Sequence, residues 1–350
     1  MQPGLANFDP QSPPRFKITR KLPIATAGSC FAQHMHRVLT ARGYGVLDYE
    51  AAPPWLDAQK SKAHQYGIFS ARYGNIYTPT QLRQLFDRAF GKFSPSEDYW
   101  EDSGTFYDPY RPSVQPGGFE SIAALKEDRE NHFEAVRRVF QDAKIFIFTL
   151  GLTEGWRSKK DGALFPVCPG CGVGTFDAAR HEFVNLGVAE IVREMSAFCT
   201  SLKALNPECK ILLTVSPVPL VATFENRNVV ESTVYSKSVL RVAAEEMRRA
   251  YDHIDYFSSY EIISVGSRRG SYFEDDQRNV SAAGVSHVTR IFLQKFGDGQ
   301  QEMKSVSASD KTLWQRLLSR LQVRKTVICD EEVLEQALAQ KRAGELEKVE

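Results

Sequence analysis

The sequence predicts an α/β fold built on a parallel sheet, and three observations carry that expectation. Short, nearly continuous apolar runs recur at Leu22 to Ala27, Lys144 to Leu150 and Lys210 to Val215. Strands buried on both faces read this way. Segments with apolar residues at helical spacing lie between them. Strand then alternates with helix along the chain, which implies crossovers and a parallel sheet covered on both sides.

The elements follow in order. Residues 1–18 read as an arm: Met1 to Phe16 is polar and Pro-rich and has no apolar core of a signal peptide. The domain is expected over residues 19–298. Its first strand, Leu22 to Ala27, runs through Gly28-Ser29-Cys30 into a helix from Phe31 to Arg42. Phe31, Met35, Val38 and Leu39 share one face of that helix. Tyr44 to Tyr49 reads as a second strand and Thr80 to Phe90 as a helix. Residues 94–118, rich in Pro, Gly and aromatics, form an ordered excursion. Ser121 to Phe140 is a long amphipathic helix, and Lys144 to Leu150 is the clearest strand. Arg157 to Arg180 reads as loop. Val188 to Leu205 is helical, Lys210 to Val215 a strand, and Ser232 to Tyr251 a helix with Ser232 or Thr233 as cap. Asp255 to Ile263 is the last strand and Ser281 to Phe296 the last core helix, capped by Ser281. Beyond them, residues 304–350 form a helical extension. Leu313, Leu317, Leu318 and Leu321 make one amphipathic helix and Glu331 to Lys348 a charged one.

Composition excludes several classes. Net charge is +1, so no strong field points to nucleic acid or a membrane surface. No apolar run is long enough to span a bilayer, and the expected location is cytoplasmic. Six cysteines in 350 residues are too sparse for a disulfide framework. Cys168-Pro169-Gly170-Cys171 is a lone C-x-x-C beside Gly172 and Gly174, which reads as a Gly-rich loop. No motif calls for a metal or a cofactor.

In parallel sheets, ligands bind beyond the carboxyl ends of the strands. The candidates there are Gly28-Ser29-Cys30, Gly151-Leu152-Thr153-Glu154, Ser216-Pro217 and the loop from Phe273 to Val280. Ser29 sits at a strand-to-helix elbow, where a nucleophile is exposed and helix-start N–H groups are aimed at whatever binds. Gly151 permits close backbone approach, the Thr153 hydroxyl can donate, and Glu154 is a candidate acid or base. Tyr73-Gly74-Asn75-Ile76-Tyr77 adds a loop with a small residue and an amide side chain.

Gly28-Ser29-Cys30-Phe31-Ala32 resembles the signature of the GSCFA domain family, similar in turn to a branch of the SGNH (GDSL-like) hydrolases. Tyr73 to Tyr77, Thr149 to Glu154, Ser216 to Pro219, Tyr235 to Ser238 and Tyr256 to Glu261 support the resemblance over roughly residues 21–295. It implies a flavodoxin-like three-layer α/β/α sandwich with Ser29 as nucleophile. It also implies an oxyanion hole from the Ser29 N–H, a glycine (Gly74) and a polar side chain, with Thr153 where the superfamily carries Asn. The superfamily's last block is Asp-x-x-His; here Asp276 is followed by Asn279 in the histidine position. Asn cannot accept the proton of Ser29. Alternative bases are His287, His34 (one helical turn beyond Cys30), Glu154 and Asp276, with His36 expected to face solvent. Ser236-Lys237-Ser238 raises a Ser–Lys reading and is expected in the first turns of its helix. Two functions stay open. One is an acyl-ester hydrolase or acyltransferase acting on a glycan or small-molecule ester; the other is a non-catalytic protein that binds carbohydrate or a protein partner, the latter through the C-terminal helices.

Overall fold

The computed structural model describes residues 8–265 and 272–298. The expected helices of 304–350 lie outside the described residues. The chain opens with β1 (Ile24–Gly28) and α1 (Ala32–Ala41), followed by the short α2 (Ala58–Ala63) and by α3 (Pro79–Ala89). α3 starts cleanly because Thr78 and Gln81 form a capping box and proline occupies its first position. The excursion holds a hairpin of β2 (Trp100–Asp102) and β3 (Thr105–Tyr107), and leads to α4 (Ile122–Asp142), capped by Ser121. Then come β4 (Ile145–Leu150), β5 (Glu154–Ser158), β6 (Leu164–Phe165), β7 (His181–Asn185) and α5 (Val188–Leu205). β8 (Lys210–Val215), α6 (Val229–Ala250), β9 (Ile254–Phe257), a π-helical turn at Glu261–Val265 and α7 (Ala282–Lys295) complete the order. Ser281 caps α7 by accepting from the Gly284 N–H at 3.3 Å.

The central sheet is parallel throughout, in the order β1-β4-β8-β9. The expected strand at 44–49 is reduced to one parallel bridge, Ile24 to Val46. Ile24 exchanges two 2.8 Å hydrogen bonds with Gly45 and Leu47, and the chain then turns away, the Tyr49 N–H donating to Ser70 O. The bridge lies outside β1, where a flavodoxin-like sheet places its second strand. Alternate residues of β4 face opposite layers. Phe146 and Phe148 pack with α3, α4, α5 and α6. Ile145 and Ile147 pack with α1 and α7. The result is a three-layer α/β/α sandwich. The arm lies along its β9 edge: Gln11 bonds Tyr256 O and the Ser258 N–H, and Phe16 and Ile18 are buried. Among the described residues no helix is long and apolar enough to cross a membrane.

Three expectations are corrected. Residues 157–180 are not loop throughout: β6, β5 and β7 form a small antiparallel sheet in that order. Its strands are two to five residues long and mostly half-buried, so no apolar run announces them. The last strand ends at Phe257, because Ser259 tethers the chain end to Val215 O and Thr214 before the π-helical turn. α6 begins at Val229 with Asn228 as cap, not at Ser232 or Thr233.

A buried ion network anchors the excursion to α4. Asp108, 1 % exposed, meets Arg111 at 3.2 Å, Arg129 at 3.1 Å and Arg88 at 4.0 Å. Arg111 and Arg72 share Asp128, and Arg72 also donates its backbone N–H to Glu50. Arg72 immediately precedes Tyr73-Gly74-Asn75-Ile76-Tyr77, so the network fixes the base of that loop.

Candidate functional site

Gly28 makes the elbow. Its φ is +139°, and a Cβ there would lie 2.5 Å from Thr149 O, so only glycine lets β1 close against β4. The Ser29 N–H then donates to Thr149 O at 3.1 Å, extending the ladder by one residue. That donor is therefore engaged, while the next residue, Cys30, lines the same cleft two residues ahead of α1. Ser29 itself is 2 % exposed, and its Oγ has no hydrogen-bond partner among the described residues. A buried hydroxyl left unpaired costs about 1–3 kcal/mol.

Ser29 lines a cleft of about 20 Å³ with Cys30, Tyr77, Gly151, Leu152, Ser216, Val218, Lys237 and Arg278. That is room for one water or one reacting atom. The strand ends β1, β4 and β8 supply most of it, as a parallel sheet should. Gly151 is pressed against the serine: a Cβ on it would come within 2.9 Å of both Ser29 Cβ and Tyr77 Cδ1. Its N–H donates to Tyr77 O at 2.8 Å. Its carbonyl accepts from Lys237 Nζ at 2.5 Å, and Lys237 is only 2 % exposed. The neighbouring Ser236 Oγ accepts from the Thr153 N–H at 3.0 Å. α6 thus grips the β4–β5 turn with two consecutive side chains and brings a lysine amine to the serine's cleft.

The GSCFA family model matches residues 23–292, from the start of the first strand nearly to the end of α7. The chain belongs to the GSCFA family. Among curated proteins no relative matches it. The family's signature pentapeptide is the elbow just described.

The other candidates of this GSCFA chain fall in different places. Gly74 holds a left-handed turn at φ +69°, with Gln65 and Val114 as neighbours. Asn75 is buried and accepts from Gln33 Nε2 at 3.2 Å. Neither lines the Ser29 cleft. The Thr153 hydroxyl donates to Asn185 Oδ1 at 2.6 Å, and the side chain is fully buried. Glu154 points into a larger neighbouring pocket, where it accepts from Thr223 Oγ1 at 2.7 Å. Burial raises its pKa above the usual carboxylate value.

Asp276 is exposed and serves its own turn, accepting from the Arg278 and Asn279 N–H groups at 2.9 Å and from Asn279 Nδ2 at 2.6 Å. Burial would raise its pKa, but these hydrogen bonds lower it. Arg278, one residue before the expected histidine position, is what this loop contributes to the cleft. His287 Nδ1 is 2.6 Å from Tyr272 OH on the α7 side of the sheet. His34 packs on Phe31 and Arg37, and burial, with Arg37 beside it, lowers its pKa to about 3. His36 is not solvated as expected: it is 4 % exposed and 2.8 Å from Thr26 Oγ1. No His, Asp or Glu lines the Ser29 cleft among the described residues.

Lys237 and Arg278 are the basic cleft residues that the sequence did not place there. For Lys237 a signal existed. It precedes Leu240 by three residues and Ala244 by seven, on the stripe that α6 buries.

Proposed function

We propose that the chain is an acyl-ester hydrolase or O-acyltransferase of the SGNH type, acting on the acyl ester of a glycan or small molecule, with Ser29 as nucleophile and Lys237 as its proton acceptor. The observation that carries this reading is the buried, unpaired Ser29 Oγ in one cleft with a buried lysine amine. Burial favours the neutral amine of a lysine, the form that can act as a base. In the first step Ser29 Oγ attacks the ester carbonyl carbon and its proton passes to the Lys237 amine. The tetrahedral oxyanion meets the Arg278 guanidinium and the N–H of Cys30, which lines the cleft just ahead of α1. Collapse breaks the ester C–O bond, and the leaving alcohol takes the proton from Lys237. Water, or an acceptor hydroxyl in the transferase case, then releases the acyl group from Ser29 by the same path in reverse. The free thiols at Cys30, Cys168, Cys171, Cys199 and Cys209 are in keeping with a cytoplasmic location.

Lys237→Met tests the assignment. Turnover of a 4-nitrophenyl acetate substrate should fall by about 10²- to 10⁴-fold, the usual worth of a general base, with the far-UV circular dichroism spectrum kept. Unchanged turnover in a folded Lys237→Met protein would reduce Lys237 to a structural clamp on Gly151.

A second reading, a non-catalytic binding protein, is favoured by one observation: Asn279 bonds Asp276, and among the described residues no acid–histidine pair lines the Ser29 cleft. It requires that no ester be turned over and no serine probe react.

A further inference from the structure

A second, far larger cavity of about 610 Å³ adjoins the Ser29 cleft. That size is in the range that encloses most of a small ligand. Leu152 and Leu220 line both spaces, so the two meet at a leucine throat. The inner wall is the small sheet, with Trp156 at the centre of an aromatic cluster. Its ring centroid lies 5.2 Å from Phe176, 5.7 Å from Phe183 and 4.8 Å from Phe224. The outer wall is the loop after β8. Phe224 is 66 % exposed, Phe176 43 % and Val221 41 %, an apolar rim left open to solvent. Isolated exposed apolar side chains are ordinary, but a contiguous set around a concavity marks a binding surface.

The chemistry of the walls restricts what fits. Of the polar side chains, Glu154 and Thr223 are satisfied by each other at 2.7 Å, and the thiols of Cys168 and Cys171 also line the space. A sugar needs a dense set of free donors and acceptors, which this lining does not offer. A hydrocarbon chain needs none. The basic side chains lie on the other side of the throat: Lys237 and Arg278 line the cleft and not the large cavity.

We infer that this cavity binds the aliphatic acyl chain of the substrate, with the carbonyl carbon held at Ser29 beyond the Leu152–Leu220 throat. The inference rests on the acyl-transfer reading of Ser29 for the orientation of the chain, and the pocket can be tested without turnover. Straight-chain carboxylates mimic the acyl product: their carboxylate is directed to the Arg278 guanidinium at the cleft and their chain to the cavity.

The experiment is calorimetric titration of the full-length Ser29→Ala protein with butanoate, hexanoate, octanoate and decanoate. Affinity should rise by about 4-fold per added methylene until the chain outgrows the cavity. Ala222→Trp, which adds bulk at an exposed lining position, should weaken decanoate binding at least 10-fold in the same background. Melting temperature and far-UV circular dichroism control for folding. Affinity independent of chain length, or decanoate binding untouched by Ala222→Trp, would overturn the proposal. Wild-type turnover of 4-nitrophenyl esters is measured in parallel. Chain-dependent binding without any turnover supports the pocket and overturns the enzyme reading. Turnover without chain-dependent binding does the reverse.

Discussion

Ser29→Ala should abolish ester turnover, by on the order of 10⁴-fold or more, while leaving the protein as stable as the wild type or more so. The first half follows from removing the nucleophile of a covalent mechanism, where what survives is only binding and oxyanion stabilisation. The second half is particular to this cleft. Most buried polar side chains lose hydrogen bonds when truncated to alanine. The Ser29 hydroxyl has none to lose among the described residues, so its removal takes away a desolvated, unpaired group. The gain should be about 1 kcal/mol, read as an unchanged or raised midpoint in urea. A drop of several kcal/mol would mean that the hydroxyl is structural.

The largest loss of stability should come from Asp108→Asn. The Asp108 carboxylate is 1 % exposed and faces the guanidinium groups of Arg111, Arg129 and Arg88. Neutralising it takes from Arg88 its carboxylate partner and leaves Arg111 and Arg129 with Asp128 and Asp98 to balance them, and breaking one partner of a buried ionic cluster costs about 3–5 kcal/mol. The melting temperature should fall by about 10 °C. The same carboxylate gives stability an acid limb. Burial alone would raise its pKa, but Arg129, Arg111 and Arg88 together hold it far below the usual carboxylate range. A group whose pKa is depressed on folding stabilises fully above its unfolded value, about 3.9 for Asp. Its contribution is lost as pH falls below that. The wild type should therefore lose stability steeply below about pH 4, and Asp108→Asn should flatten that limb. Equal slopes in the two proteins would show that other carboxylates dominate acid unfolding.

The sheet was legible because β4 and β8 are buried on both faces and must be apolar at nearly every position. The elbow was legible for a different reason: a Gly-Ser turn between an apolar strand and an apolar helix face has few structural alternatives. The small sheet was hidden, since Glu154-Gly155-Trp156-Arg157-Ser158 shows neither a run nor an alternation. Yet that sheet supplies Trp156 and Phe183 to the large cavity. Lys237 was seen as a motif and placed on the right helix, though α6 begins earlier than expected, at Val229. Only the docking of α6 on the β4–β5 turn puts the lysine amine on Gly151. The histidines were visible but their surroundings were not. Thr26 behind His36 and Tyr272 beside His287 come from elements distant in sequence, so no local spacing could foretell those contacts.

The most direct test of Ser29 as an activated nucleophile is reaction of the folded protein with a fluorophosphonate, followed by intact mass and peptide mapping. One adduct per chain, located on Ser29, absent in Ser29→Ala and slowed in Lys237→Met, is the expected result. A folded wild-type protein that takes up no phosphonate, or labelling that persists in Ser29→Ala, would contradict it.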